Sequence, residues 1–154
     1  MRAGGVFIGE PDAESGIATL IEALEICPVA RVEVIGELSG PRLEARLRRA
    51  AYVVMPALSC EGVPTAVVAA FAHGVPVIAS RLAPLLELVE PGRNGFLFEA
   101  GSPRDLARRL AWAEAFPEKM RQMGECARAD YQARFIANWS YPTLFGERRR
   151  SARI

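Results

Sequence analysis

A chain of 154 residues, half of it apolar (51%) and a quarter charged (24%), has the size and make-up of one globular domain rather than a disordered segment. A net charge of +1 gives no reason to expect a nucleic-acid partner, and no apolar run approaches the length of a membrane-spanning helix. Cys27, Cys60 and Cys126 are odd in number and widely spaced, which points to a reduced, cytoplasmic setting, and MRAGGVFIG has the wrong length and flanks for a secretory signal.

Residues 5–9 read as a short buried strand, residues 10–15 as a loop, and residues 16–26 as a helix with Ile17, Leu20, Ile21 and Leu24 on its inward face. Pro28 forces a break before a second strand over 31–35 and a loop over 36–40. The segment 41–50 is predicted as a helix with Pro at its start, Leu43 and Leu47 inward and its arginines outward. A third strand over 52–55 leads through a small-residue loop to an apolar helix over 65–73, closed by Gly74 and Pro76, and a fourth strand over 75–79. Residues 85–89 form a helical turn and 95–98 a fifth strand. Beyond Pro103 the pattern is helical, in three pieces over 105–115, 118–123 and 125–134, with Trp112 and Phe116 expected in the core. Pro142 and Gly146 oppose a long final helix, so the domain is expected over 1–135 and a tail over 136–154. Strands alternating with helices imply an α/β fold, a doubly wound, mostly parallel, Rossmann-like sheet.

The most informative stretch is VVMPALSCEGVPTAVVAAFAHGVPVIAS, residues 53–80. It is a βαβ unit whose first loop carries one acid, Glu61, at the carboxyl end of a strand, where open parallel sheets bind ligands. Pro64 suits the first helical position, and the N–H groups of Thr65 and Ala66 would then face the loop, ready for phosphate or sugar hydroxyls. Glu61 taken alone reads equally well as an acid favoured by the helix macrodipole. Cys60 and His73 do not make a thiol–base pair, because thirteen residues and about 20 Å of helical rise separate them. His73 reads instead as a donor to the last carbonyls of its helix.

This stretch resembles the donor-site signature of the GT-B-fold retaining glycosyltransferases, the "group 1" family. In the family a strand ending in Pro-Ser leads to Glu-Gly-x-Pro and on to Gly-x-Pro-Val-Ile-Ala, and here Glu61, Gly62, Pro64, Ala70, Gly74, Pro76, Val77, Ile78 and Ala79 all match. The family's second acid, eight residues after the first, is Ala69 here. The opening Gly9-Glu10-(loop)-Glu14-Ser15-Gly16 resembles the family's Gly-Arg-(loop)-Glu-Lys-Gly. Glu87 and the run Val89-Glu90-Pro91-Gly92-Arg93-Asn94-Gly95-Phe96-Leu97 also follow the family's wording. One strand–helix unit with a Gly-x-Gly-Pro turn has no counterpart. Either the strand over 31–35 belongs to that unit, or the unit after it is the one lost.

The resemblance implies the nucleotide-sugar-binding, carboxyl-terminal domain of such an enzyme, expected to work with an amino-terminal acceptor domain that has no counterpart in this chain. The implied donor site comprises Gly9, Glu10, Ser15, Gly36, Leu38, Glu61, Gly62, Val63, Pro64, Thr65 and Ala69, with Glu61 as the remaining contact to the donor sugar. The family's diphosphate-binding Arg and Lys fall on Glu10 and Ser15, which read otherwise as ordinary loop residues. Losing two charge-assisted contacts removes about 3–6 kcal/mol, a factor of roughly 10² to 10⁴ in affinity. Ala69 cannot accept a hydrogen bond from ribose. Weak or lost donor binding is therefore expected, with no metal and no cofactor beyond the donor itself. The alternative is a non-catalytic domain that keeps the fold as a structural or interaction module. The shortened sheet leads to an expected homodimer. The arginines at 148–150 read as a solvated tail, with contact to the inner membrane face as the alternative.

Overall fold

The computed structural model describes residues 4–36, 38–62 and 64–136. Five strands, β1 (Gly5–Phe7), β2 (Val32–Val34), β3 (Tyr52–Met55), β4 (Val77–Ser80) and β5 (Gly95–Phe98), form one all-parallel sheet in the order β2-β1-β3-β4-β5. The helices are α1 (Ile17–Ile26), α2 (Gly40–Arg49), α3 (Thr65–Ala72), α4 (Ala83–Leu88), α5 (Pro103–Ala115) and α6 (Pro117–Tyr131), the last running into a π-helical turn over Gln132–Ile136. The expected doubly wound fold is the one observed.

Both faces of the sheet are covered, which is why the inner strands read as unbroken apolar runs. The pleat sends Val54, Ile78, Phe96 and Phe98 to one side, where they meet Leu20 and Ala23 of α1 and Leu106 and Leu110 of α5. Val53, Val77, Ala79 and Leu97 go to the other, against Leu47 of α2, Val67 and Phe71 of α3 and Leu85 of α4. The chain leaves β1 for β2 through α1 and returns past β1 to β3 through α2. The order reverses there, so β1 and β3 flank the topological switch point, where open α/β sheets hold ligands.

Several details depart from the sequence expectation, each for a packing reason. Ile21 is 53% exposed, because the inward face of α1 runs through Leu20, Ala23 and the following Cys27. The helix expected to break at Gly124 is continuous over Pro117–Tyr131. Gly124 is inside it because α6 lies hard against the turn before β4, where a Cβ would stand 2.2 Å from the carbonyl oxygen of Gly74. Phe116 is 44% exposed rather than core. It stacks at 4.9 Å on Trp112, which meets Phe96 edge-on at 4.8 Å. β4 starts at Val77 and not at Val75, since Pro76 has no N–H for a ladder. β2 is the sheet edge, with no described strand beyond it, and it leaves Val34 46% exposed. The tail over 137–154, with its arginines, lies outside the described residues.

The run 89–97 proves architectural. The buried Asn94 accepts the N–H of Glu90 (2.7 Å) and donates to the carbonyl of Leu88 (3.1 Å) and to Asp130 (2.7 Å), tying the turn before β5 to α6. Arg93 adds an ion pair to the same Asp130 at 2.5 Å.

Candidate functional site

Because all five strands point the same way, every loop that follows a strand lies on one rim of the sheet. Gly9, after β1, donates its N–H to the carbonyl of Gly36, after β2, at 2.9 Å. Both glycines sit at positive φ, 122° and 66°, a conformation other residues rarely adopt. The loops after β1 and β3 are braced more tightly. The carbonyl of Glu14 accepts the N–H of Leu58 (2.9 Å), and its carboxylate accepts the hydroxyl of Ser59 (2.7 Å). Gly16 has φ 77°, and a Cβ there would stand 1.7 Å from the carbonyl oxygen of Pro56. The segments around Gly9 and Glu61, far apart in sequence, thus border the same β1/β3 switch point.

Within this frame Glu10 is exposed and makes no ion pair with a described residue. Ser15 spends its polar groups locally: its N–H donates to the Asp12 carboxylate (2.9 Å) and its hydroxyl to the Asp12 carbonyl (2.6 Å), closing a 3₁₀ turn over Ala13–Ser15. Leu38 is half-buried beside the Gly36 turn. Glu61 and Gly62 are exposed, Gly62 at φ 70°, and Val63 lies outside the described residues.

Pro64 is the cap before α3 and not its first helical residue. Its carbonyl accepts the N–H groups of Val67 (3.0 Å) and Val68 (3.2 Å). The N–H groups of Thr65 and Ala66 therefore precede the first intrahelical bond, in the first turn of α3. Ala69 packs with Ile8, Ile35, Met55, Cys60 and Leu82 against the apolar cluster under α2 and α3. Four of these, Ile8, Ile35, Met55 and Leu82, stand at or within two residues of a strand end, so the rim has an apolar floor. Burial pushes the Cys60 thiol above its ordinary range. His73 turns Nδ1 back to the carbonyl of Ala69 at 2.9 Å, the role expected of a residue ending its helix.

Charge in the rim loops is one-sided. Among the described residues, the loops following strands hold Glu10, Asp12, Glu14, Glu61 and Glu99 against one cation, Arg81. That cation was missed in reading the sequence, although its place directly after the run Val77-Ile78-Ala79-Ser80 marks it as a rim residue once the sheet is known to be parallel. Cavities of 790 Å³ and 750 Å³ open at the other end of the sheet, one beside Gly4, Gly5 and Arg31, the other beside Gly74, Pro76 and Gly124. No helix of the described residues is long and apolar enough to cross a membrane.

Residues 5–130 match the family described as glycosyl transferases group 1. The D-inositol 3-phosphate glycosyltransferase of Streptomyces griseus is 33% identical over 118 residues, 77% of this chain and 24% of that protein. The chain spans about a quarter of the length of the curated relatives it matches, 24–30% of each. Among solved structures, Anabaena HepE in complex with UDP is similar with a TM-score of 0.75 at 23% identity, over 87% of this chain and 45% of that one. The carboxyl-terminal domain of the Francisella tularensis group 1 protein LpcC is similar with a TM-score of 0.71 at 17% identity, over 87% of this chain and 88% of that one.

Proposed function

The chain belongs to the glycosyl transferases group 1 family, and we propose that it is the nucleotide-sugar-binding half of a retaining enzyme, acting with an acceptor-binding partner domain or chain. The observation that carries this reading is the brace between Glu14 and the Leu58–Ser59 loop, which holds the glycine turn of β1 and the Glu61 segment around the switch point. Glu61 reaches the donor sugar, and the N–H groups of Thr65 and Ala66 stand beside it for hydroxyl or phosphate oxygens. Charge on the departing diphosphate would have to be stabilised for transfer. Glu10 and Ser15 cannot do so, and Ala69 cannot hold ribose. The domain alone is therefore a weak binder without transferase activity of its own. Its three unpaired cysteines fit a cytoplasmic setting.

The test is calorimetry with UDP-, GDP- and ADP-sugars. No binding tighter than about millimolar is expected of the natural chain, whereas Glu10→Arg, Ser15→Lys and Ala69→Glu together bring nucleotide binding into measurable range. Micromolar affinity in the natural chain overturns the impairment, and no gain in the triple variant overturns the residue assignment. The β2 edge, beyond which no described strand lies, with Val34 46% exposed and Val29 in the turn before it 68% exposed, is where two copies pair in this reading. Light scattering that finds only monomer at every concentration removes that part.

A further inference from the structure

Arg81 follows β4 at the rim. The ladder between β4 and β5 ends on its N–H, which donates to the carbonyl of Phe98 at 2.8 Å. Leu82 then donates back to the carbonyl of Ser80 at 2.9 Å, closing a three-residue γ-turn with Arg81 at its apex. The chain therefore turns at Arg81, which is exposed. Met55 pairs with Ala79, the last pair of the ladder between β3 and β4. Arg81 therefore follows the strand that lies next to β3, whose loop carries Glu61.

Neither an ion pair nor a hydrogen bond with a described residue occupies the Arg81 guanidinium. That sets it against Arg46, Arg93, Arg108 and Arg121, each tied to a carboxylate of the scaffold. A guanidinium brings five donors in a planar fork matched to phosphate oxygens. Among the described residues it is the one cation in the loops that follow the strands, whereas Arg42 and Arg104 stand in the first turns of the helices after the two edge strands, β2 and β5.

We propose that Arg81 is the diphosphate-binding cation of this domain, taking from the end of β4 a charge that the loop after β1 does not supply. The proposal rests on the donor-site reading above. It assigns the residual nucleotide affinity to Arg81 together with the N–H groups that open α3, and it makes that affinity a property of the phosphates rather than of the base.

The test is an NMR titration of UDP, uridine and inorganic pyrophosphate into the natural chain and into the Glu10→Arg/Ser15→Lys/Ala69→Glu variant, each with and without Arg81→Ala. Arg81 is exposed, and a thermal melt confirms that folding is unchanged. In whichever background UDP titrates, Arg81→Ala is expected to weaken UDP and pyrophosphate by about 10- to 100-fold. Uridine is expected to be unaffected, Arg81→Lys to be intermediate, and Arg121→Ala on α6 to have no effect. UDP affinity that is equal with and without Arg81 overturns the proposal and leaves the donor-site reading standing. Absence of UDP binding in both backgrounds overturns the donor-site reading and the proposal with it.

Discussion

The hydroxyl of Ser59 donates to the carboxylate of Glu14 at 2.7 Å, while the main chain of Glu14 accepts the N–H of Leu58 at 2.9 Å, so one residue of the first loop grips two of the third. The side-chain half of this grip is exposed and worth about 1 kcal/mol or less. The closeness of the loops depends instead on Gly16. Gly16→Ala would force an L residue into positive φ and drive its Cβ into the Pro56 carbonyl. A loss of about 2–4 kcal/mol in urea unfolding is expected, against a few tenths for Ser59→Ala. Equal effects would mean that the loops are not in contact.

Gly124→Ala is expected to destabilise by a similar amount, although alanine is the better helix former by about 1 kcal/mol. The cause is the Gly74 carbonyl, 2.2 Å from where the new methyl would stand. A rise in melting temperature would show that α6 and the turn before β4 are further apart than described here.

Tyr52 is buried, and its hydroxyl donates to Glu114 at 2.8 Å. Burial and that carboxylate together push the phenol well above its ordinary value near 10. With the folded value raised, the stabilisation is complete below pH 10 and is lost as pH rises beyond it. Tyr52→Phe should cost about 1.5–3 kcal/mol at pH 7. The variant should also lack the part of the alkaline decline that begins near pH 10, measured by denaturant unfolding across pH 8–12.

The first turn of α5 carries the acid counterpart. Ser102 caps the N–H of Asp105 at 3.2 Å, and Asp105 accepts the N–H of Glu99 at 2.8 Å. Burial pushes the Asp105 carboxyl up, but the Glu99 N–H and the Arg108 guanidinium outweigh it and hold the group below its ordinary 3.8. A lowered folded value means stability that is present above pH 3.8 and lost as pH falls through the folded value. Asp105→Asn should flatten the acid limb of the unfolding profile below pH 4, and Ser102→Ala should cost about 1 kcal/mol at neutral pH.

Much of this molecule was legible in its residues. β3 and β5 were read to the residue, because short β-branched or aromatic runs between breakers leave little choice. What escaped depends on contacts between distant segments. Gly124 looks like a helix breaker until Gly74 is seen to lie beneath it. Ile21 fits the helical period of α1 but falls off the face that the sheet and α5 select. The local use of Ser15 by Asp12, and the placement of Arg81 at the apex of the turn after β4, follow from backbone geometry that spacing does not encode. The run around Asn94 was recognisable as wording, but only the structure separates its role in tethering β5 to α6 from a role in chemistry.

The bonds from Gly9 to Gly36 and from Leu58 to Glu14 run between main-chain atoms. A lattice of that kind is indifferent to what its side chains do. The side chains on such loops can be exchanged by a handful of codon changes while the protein folds as before, without any repacking beneath. Side chains carried on such a frame change without disturbing it, and for an engineer that frame is the asset.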